Sequence, residues 1–298
     1  KSKVILILID GLRFDYLFNE TKSHLPSENW SQNQYIKFLN ILNKTPENLL
    51  TFKVFVDAPT RTADRVPCMM TGNLPRKVGG IQAFGGLPVQ EDSILRQLTK
   101  AGRKTYFTGD PLWTQYFPND LITEQESRGL DIKDTEVDNW PIEYIQKIVK
   151  KNEFDFLIGH MLGVDHIGHL KGLADPEIAK QKKKIEDFLI DLIDKIDDET
   201  TLLITGDHGA VMSGEHGQDD PQETHSALIG YNKKGFQKYQ QHNMRKVMKS
   251  LEEKSAFMVN QVDLVPTLAM LLGVPVPFSN LGQVIDDLYL ASEKIPSL

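Results

Sequence analysis

Short apolar runs recur along the chain, and several of them lead directly into a carboxylate, a histidine or a glycine. The first run is KVILILI at residues 3–9, which is followed by Asp10 and Gly11. The others are FKVFVD (52–57), KTYFTGD (104–110), FDFLIGH (154–160), TLLIT (201–205) and SALIGY (226–231). Uninterrupted apolar runs of this length are typical of strands that are buried on both faces of a sheet. They predict a sheet that presents polar side chains where its strands end.

Segments with helical spacing separate these runs. Predicted helices cover residues 90–101, 141–151, 176–198 and 262–273, whereas residues 111–139 are predicted to be rich in loops. Helix-like spacing also occurs at Tyr35, Phe38, Leu39 and Leu42, inside a polar segment. Alternating strands and helices predict an α/β fold with a mainly parallel sheet flanked by helices. No repeat or linker interrupts the 298 residues, so we expect a single domain over residues 1–298.

Composition narrows the possible partners of the chain. A formal net charge of −7 disfavours an extended nucleic-acid surface, so no nucleic-acid partner is expected. Cys68 is the single cysteine, which excludes an internal disulfide framework and a paired-thiolate metal site. Sequons at Asn19, Asn29 and Asn43 are compatible with a secretory lumen. The sequence lacks an initiating methionine, a signal peptide and an apolar stretch of about 20 residues, so a fragment of a longer protein is one expectation.

Histidines and aspartates cluster at the predicted strand ends. Six of the eight histidines lie between residues 160 and 225, namely His160, His166, His169, His208, His216 and His225. Asp165 and Asp207 accompany them, and Asp10 follows the first strand. Ligands bind beyond the carboxyl ends of strands in open α/β sheets. Carboxylates and imidazoles without a thiolate suit zinc or manganese, and a pair of such ions can stabilise both oxygens of a phosphoryl transfer.

A candidate nucleophile lies in the segment TRTADR, after the 52–57 strand. Thr60 and Thr62 both offer hydroxyls there, and a helix beginning near Ala63 would add backbone donors for a phosphate. Metal coordination is one way to activate a threonine hydroxyl at neutral pH. The alternative is that Thr62 is simply a helix N-cap, which is the commoner role for this residue type.

Five motifs in order resemble the luminal catalytic domain of the glycosylphosphatidylinositol (GPI) ethanolamine-phosphate transferases, which are part of the alkaline phosphatase superfamily. These motifs are IDGLRFD, PTRTADRVPCMMTGNLP, LGVDHIGHLKG, GDHGAVMSGEHG and QVDLVPTLAMLLGVPVPFSNLG, and they span residues 4–282. The closing PVPFSNLG is most similar to the enzymes that modify the third mannose. Two segments depart from the family pattern, namely Ala83-Phe84 and Pro111 within Gly-Asp-Pro-Leu-Trp. At the first of them the family has an asparagine, and Gln82 could replace its missing amide.

The resemblance implies an alkaline phosphatase-like fold and a site with two divalent ions, expected to be Zn²⁺. One ion would be held by Asp10, Asp207 and His208, with Thr62 bridging as the nucleophile. The second would be held by Asp165, His169 and His216, and His225 remains the alternative for the last ligand. Thr62 matches the nucleophile better than Thr60, because related phosphodiesterases place it second in their Pro-Thr-x-Thr motif.

The implied reaction is transfer of phosphoethanolamine from phosphatidylethanolamine to a mannose of a GPI precursor in the endoplasmic reticulum lumen. Membrane association would come from regions absent from this chain. Two alternatives remain open: a phosphodiesterase or phosphatase in which water is the acceptor, and a catalytically silent binding module. A sulfatase is less favoured, because Cys68 is not part of the Cys-x-Pro-x-Arg pattern that such enzymes modify.

Overall fold

The computed structural model describes residues 2–17, 48–75, 88–117, 123–127, 136–235 and 258–288. The strands are β1 Lys3–Ile9, β2 Leu49–Phe55, β3 Thr105–Gly109, β4 Glu124–Ser127, β5 Phe156–Met161, β6 Thr200–Thr205, β7 His225–Asn232 and β8 Met258–Asn260. The helices are α1 Thr62–Thr71, α2 Ile94–Lys100, α3 Leu112–Tyr116, α4 Asn139–Lys151, α5 Gly163–Lys171, α6 Pro176–Lys195, α7 Pro221–Thr224 and α8 Leu264–Leu272. Single 3-10 turns occupy Phe14–Leu17 and Gln261–Asp263.

The eight strands form one sheet in the order β4-β3-β5-β1-β6-β7-β2-β8. Within the described ranges only β7 runs against the others, since it pairs antiparallel with both β6 and β2. The remaining pairs are parallel. The predicted α/β class with a mainly parallel sheet is therefore confirmed. The order also makes β5, β1 and β6 adjacent, which brings three polar strand ends to one edge.

Helices cover both faces of the sheet, as the run KVILILI requires. Val4, Leu6 and Leu8 are fully buried in a cluster with side chains of α1, α2 and α8. The intervening residues Ile5, Ile7 and Ile9 are equally buried in a second cluster with α4, α5 and α6. Successive side chains of a strand point to opposite faces, so a central strand between two helical layers must be apolar at every position.

The structure differs from the sequence expectations in two segments and contains a helix in a third for which no element was predicted. The predicted helix over 90–101 begins at Ile94, because Ser93 caps it by accepting a hydrogen bond from the backbone N of Arg96 at 3.2 Å. The interval 111–139, predicted to be loop-rich, contains α3 and the edge strand β4. The segment after β5 forms helix α5, which glycines at both ends and in its middle disguise in the sequence.

Several expectations concern residues outside the described ranges. These are the three sequons, the helix-like spacing at Tyr35–Leu42, and the positions Gln82, Ala83 and Phe84. Over the part of the chain that the structure does describe, no helix is both long enough and apolar enough to traverse a bilayer.

An ion pair near the amino end of β1 should make stability depend on pH. Partial burial acts to raise the pKa of Asp197, but hydrogen bonds from Lys3, Thr200 and Asn152 outweigh it and lower that pKa to about 2. A depressed carboxyl pKa contributes stability above the unfolded value near 3.8, and this contribution is lost as the pH falls towards 2. We expect Asp197→Asn to lower the free energy of unfolding at pH 7 by about 1 kcal/mol, given solvent screening.

Urea unfolding of both chains at pH 7 and at pH 3 checks this expectation, and the difference should shrink at the lower pH. The matched control is Asp198→Asn, which removes the same charge from the neighbouring, exposed position. An equal loss in both variants, or a difference that does not change with pH, would contradict the assignment to the ion pair.

Candidate active site

Three adjacent strands deliver the candidate ligands to the carboxyl edge of the sheet. Asp10 directly follows β1, and Asp207 and His208 follow β6 after a single glycine. Helix α5 begins two residues after β5 and presents Asp165 and His169 one turn apart. His216 comes from the loop beyond β6. This loop packs closely on α5 because Gly214, with a φ of +88°, has no β-carbon to clash with the Gly168 carbonyl.

The first group joins Thr62, the first residue of helix α1, to the ends of β1 and β6. Thr62 Oγ1 lies 3.4 Å from Asp10 Oδ2 and 3.2 Å from His208 Nε2. His208 Nε2 in turn lies 3.4 Å from Asp10 Oδ1 and 3.3 Å from Asp207 Oδ2. Arg61 occupies the N-cap position of α1 and makes no side-chain cap. Thr62 therefore does not serve as the N-cap, and its hydroxyl faces the carboxylates instead.

The second group joins α5 to the loop that carries His216. Asp165 Oδ2 lies 3.3 Å from His169 Nε2, and Asp165 Oδ1 lies 3.4 Å from His216 Nε2. The two imidazole Nε2 atoms are 2.9 Å apart. The groups adjoin each other, because the rings of His208 and His216 stack with their centroids 3.9 Å apart.

Backbone carbonyls fix which nitrogen of each central imidazole faces the cluster. His208 Nδ1 donates to the Gly209 carbonyl at 2.9 Å, and His216 Nδ1 donates to the Thr60 carbonyl at 2.6 Å. A carbonyl oxygen only accepts, so these nitrogens carry the protons and Nε2 of each neutral ring offers a lone pair. Metal-binding histidines are oriented in this way in proteins.

The donor atoms of both groups have the spacing of a metal coordination shell. Ligand atoms about 2.0–2.1 Å from a tetrahedral zinc ion lie about 3.3 Å from one another. Most of the separations given above fall between 3.2 and 3.4 Å, which is long for hydrogen bonds between such groups. Three buried carboxylate oxygens also accept no hydrogen bond from the described part of the chain: Asp10 Oδ1, Asp165 Oδ1 and Asp207 Oδ2. The oxygen and nitrogen donors, free of any thiolate, fit one divalent ion in each group.

Crowded negative charge dominates the electrostatics of the site. Burial, together with the charges of Asp207 and Asp165, raises the pKa of Asp10 well above its ordinary value. Burial and the neighbouring His208 lower the pKa of His216, which favours the neutral ring. A cation placed among these carboxylates would relieve their repulsion, and neutral imidazoles are the form that binds metals.

A further histidine, His160, lies beside the first group. It is the fifth residue of β5, it is completely buried, and its Nε2 lies 3.3 Å from Asp10 Oδ2. Asp10, His160 and Asp207 also lie close enough together to share an ion, as do Asp165, His208 and His216. The sequence showed His160 only as one member of the histidine cluster, although a polar residue at the end of an apolar strand is itself a signal.

Two buried acids, Asp138 and Glu223, accept hydrogen bonds from the segments that carry the candidate ligands. Neither acid was predicted from the sequence. Asp138 Oδ1 accepts from the backbone N of Leu162 at 2.7 Å and of Gly163 at 3.2 Å, which supports the start of α5. Glu223 Oε2 accepts from Thr60 Oγ1 at 2.6 Å and from the backbone N of Gly217 at 2.8 Å. Both acids act across distant parts of the chain, so no local sequence pattern reveals them.

Replacing Glu223 by glutamine should loosen the loop that carries His216. The carboxylate also accepts from the backbone N of Gln218 at 2.7 Å, and the neutral amide oxygen of glutamine would accept from these donors more weakly than a carboxylate oxygen does. We expect Glu223→Gln to lower the free energy of unfolding by about 1–3 kcal/mol. We also expect it to weaken zinc binding by Asp165, His169 and His216.

Chemical denaturation and zinc titration of the variant measure both effects. Glu215→Gln is the matched control, since Glu215 is an exposed acid on the same loop and its loss changes the charge equally. Similar zinc affinities for the two variants would contradict a specific role for Glu223.

The remaining candidates lie apart from the cluster or have structural partners. His225 starts β7, its Nδ1 donates to the Pro221 carbonyl at 2.8 Å, and its ring contacts Phe55 edge-on. Thr60 is fully buried and its hydroxyl is taken up by Glu223. Cys68 lies within α1, where burial raises its pKa to about 11 and its thiol donates to the Asp64 carbonyl.

A known protein family and a solved structure resemble this chain in sequence or in fold. The family model described as type I phosphodiesterase / nucleotide pyrophosphatase matches residues 88–226. The soluble domain of lipooligosaccharide phosphoethanolamine transferase A from Neisseria meningitidis superposes with a TM-score of 0.61 at 16% identity, over 99% of this chain and 94% of that one. The chain thus shares its α/β fold with that domain.

Two curated relatives are similar to the chain in sequence over nearly its whole length. The chain is 34% identical over 297 residues to GPI ethanolamine phosphate transferase 3, catalytic subunit, of Homo sapiens, covering 98% of this chain and 26% of the relative. It is 33% identical over 300 residues to GPI ethanolamine phosphate transferase 3 of Saccharomyces cerevisiae, covering 96% of this chain and 28% of the relative. The chain is similar in sequence to these two GPI ethanolamine phosphate transferases and spans about a quarter of their length.

Proposed function

We propose that the chain transfers phosphoethanolamine from phosphatidylethanolamine to a mannose of a GPI precursor, with Thr62 as the covalent carrier. The names of the relatives supply the substrate class. The reaction would take place in the endoplasmic reticulum lumen, on a longer protein that provides the membrane anchorage. The third mannose is the favoured acceptor, because the closing PVPFSNLG resembles the enzymes that modify it.

The observation that carries this proposal is the spacing of the donor atoms around Thr62. Its hydroxyl lies 3.2 Å from His208 Nε2 and 3.4 Å from Asp10 Oδ2, while oxygens of Asp10 and Asp207 accept no hydrogen bond among the described residues. These residues would hold one divalent ion, which would activate the threonine hydroxyl. Asp165, His169 and His216 fit a second ion beside it, with a position left open for a substrate oxygen.

Two ions bound in this way would neutralise charge on the attacking and leaving oxygens of a phosphoryl transfer. The chain itself positions the nucleophile. Helix α1 begins at Thr62 and has no side-chain cap, so the first backbone N–H groups of the helix lie next to the hydroxyl. Such a helix terminus favours the negative charge of a phosphate.

The reaction then consists of two substitutions at phosphorus. In the first, Thr62 Oγ1 bonds to phosphorus as the bond to diacylglycerol breaks, and the threonine proton ends on the diacylglycerol oxygen. In the second, a mannose hydroxyl oxygen displaces Thr62 and its proton returns to the threonine. No phosphorus–oxygen bond is gained or lost overall, so the transfer needs no external energy source.

A transfer assay with and without acceptor tests this proposal. The zinc-loaded chain is mixed with phosphatidylethanolamine in detergent micelles and with a synthetic mannose acceptor. We expect diacylglycerol release that stops when the metal is chelated, and phosphoethanolamine attached to the acceptor. Metal analysis of the same sample should give two ions per chain.

Two other results would overturn the proposal in different ways. Release of free phosphoethanolamine at the same rate with and without acceptor would indicate the phosphodiesterase alternative, in which water is the acceptor. Less than one ion per chain after incubation with zinc, together with no turnover, would indicate a silent binding module.

A further inference from the structure

His160 could be read as another metal ligand, because its Nε2 lies 3.3 Å from Asp10 Oδ2 and that spacing matches the rest of the cluster. The ring is completely buried at the end of β5. Within the described part of the chain, the contact of Nε2 with Asp10 Oδ2 is close but does not meet hydrogen-bond geometry. Whether this nitrogen can bind a metal depends on which of the two ring nitrogens carries the proton.

Trp113 determines which ring nitrogen of His160 carries the proton. Its indole Nε1 donates to His160 Nδ1 at 3.1 Å. An indole N–H is a donor only, so Nδ1 must accept and cannot carry a proton. The single proton of the ring is then on Nε2, where it faces Asp10. A nitrogen that holds a proton has no lone pair to offer a metal.

The position of Trp113 is firmly held. The side chain is completely buried, stacks on Phe107 with centroids 4.9 Å apart, and contacts Phe117 at 5.7 Å. Helix α3, which carries it, starts where Asp110 Oδ1 accepts from the backbone N of Leu112 at 2.7 Å. Turning the indole away would leave its N–H buried without a partner, so the tautomer of His160 is strongly constrained.

Gly109 permits the close approach of β3 to this histidine. Its φ is +143°, and a β-carbon there would lie 2.5 Å from His160 Cβ. The departure of this chain at Pro111 is compatible with the arrangement, because Pro111 adopts a φ of −53° that proline favours. The Gly-Asp-Pro-Leu-Trp segment therefore builds the support for His160.

We propose that His160 is a positioning residue that presents a protonated Nε2 to Asp10 Oδ2, 3.3 Å away, with Trp113 fixing the tautomer. A hydrogen bond formed across this contact when the ion binds would orient the carboxylate so that its other oxygen, Oδ1, faces the first metal group. This role rests on the proposed function, since it concerns Asp10 as a ligand. Partners of this kind typically change metal affinity about 10–100-fold.

Nitrogen NMR of the ¹⁵N-histidine-labelled 298-residue chain tests the tautomer directly, with His160→Gln used to assign the signal. We expect His160 to show a protonated Nε2 and an unprotonated Nδ1, both in the metal-free chain and after zinc is added. In Trp113→Phe, which keeps an aromatic ring but removes the donor, the two tautomers should mix. A protonated Nδ1, or loss of the Nε2 proton when zinc binds, would overturn the proposal.

Zinc competition with a chelator separates a positioning residue from a ligand. Glutamine can accept from Trp113 and donate to Asp10 but is a poor zinc ligand, whereas leucine can do neither. We expect His160→Gln to stay within about threefold of the parent affinity and His160→Leu to lose about 10–100-fold at one of the two ions. Thermal unfolding without metal shows whether each variant is folded.

Other outcomes of the competition are equally informative. Loss of one ion from both variants would make His160 a ligand and overturn the proposal, and so would parent-like affinity in the leucine variant. If the parent chain itself bound no zinc, the proposed function would fail, while the NMR measurement on the metal-free chain would still report the tautomer and its dependence on Trp113.

Discussion

Thr62→Ala is expected to reduce turnover by about 10³-fold or more while leaving two metal ions bound. The hydroxyl is the only group of this residue in the cluster, and Asp10, Asp207 and His208 would still provide three ligands to the adjacent ion. Loss of the nucleophile should therefore remove chemistry without removing the metal. The assay is diacylglycerol release from phosphatidylethanolamine, with metal content measured on the same preparation.

Thr71→Ala provides the matched control for this variant. It makes the same change in the last turn of the same helix, where the hydroxyl donates to the Pro67 carbonyl at 2.9 Å. We expect its turnover to stay within a few-fold of the parent. Thr60→Ala should be milder than Thr62→Ala, because Thr60 contributes through Glu223 and the loop. If Thr60→Ala abolished turnover while Thr62→Ala did not, the nucleophile would have to be reassigned.

His216→Ala is expected to release one of the two ions, with more than about a 100-fold loss of affinity at that site. Only two protein ligands, Asp165 and His169, would remain there, and they cannot close a tetrahedral shell. The ion next to Thr62 should stay bound. Isothermal titration with zinc resolves the two sites, and turnover should fall together with occupancy of the weakened one.

His225→Ala supplies the comparison, since sequence analysis left His225 open as the last ligand. In the structure its Nδ1 bonds to the Pro221 carbonyl and its ring meets Phe55, apart from the cluster. We expect two ions per chain in this variant. Retention of both ions in His216→Ala, combined with loss of one in His225→Ala, would reverse the assignment.

Strand positions were predictable because burial leaves a direct mark on the sequence. A central strand such as β1 must be apolar on both faces, so KVILILI was recognisable, and β6 likewise. Helix α5 was missed because Gly163 and Gly168 weaken its pattern and because it follows β5 almost directly. The antiparallel direction of β7 was equally hidden, since an apolar run such as SALIGY carries no sign of its direction.

The candidate ligands were predictable for a related reason. Asp10, Asp207 and His208 stand immediately after buried strands, where polar residues have no packing role. The supporting residues were not predictable, because their partners are far away in sequence. Glu223 acts on a loop that begins before it and on Thr60, and Trp113 acts on His160 across 47 positions. Such contacts form only when folding brings distant segments of the chain together, so no local sequence pattern marks them.

Mapping the covalent intermediate would identify Thr62 as the residue that carries phosphoethanolamine. The zinc-loaded chain is mixed with phosphatidylethanolamine without an acceptor, quenched with acid within one turnover, and digested for peptide mass spectrometry. We expect a phosphoethanolamine adduct on Thr62 that forms together with diacylglycerol and disappears when the mannose acceptor is added before the quench. An adduct on another residue, or diacylglycerol release by Thr62→Ala at the parent rate, would contradict this role of Thr62.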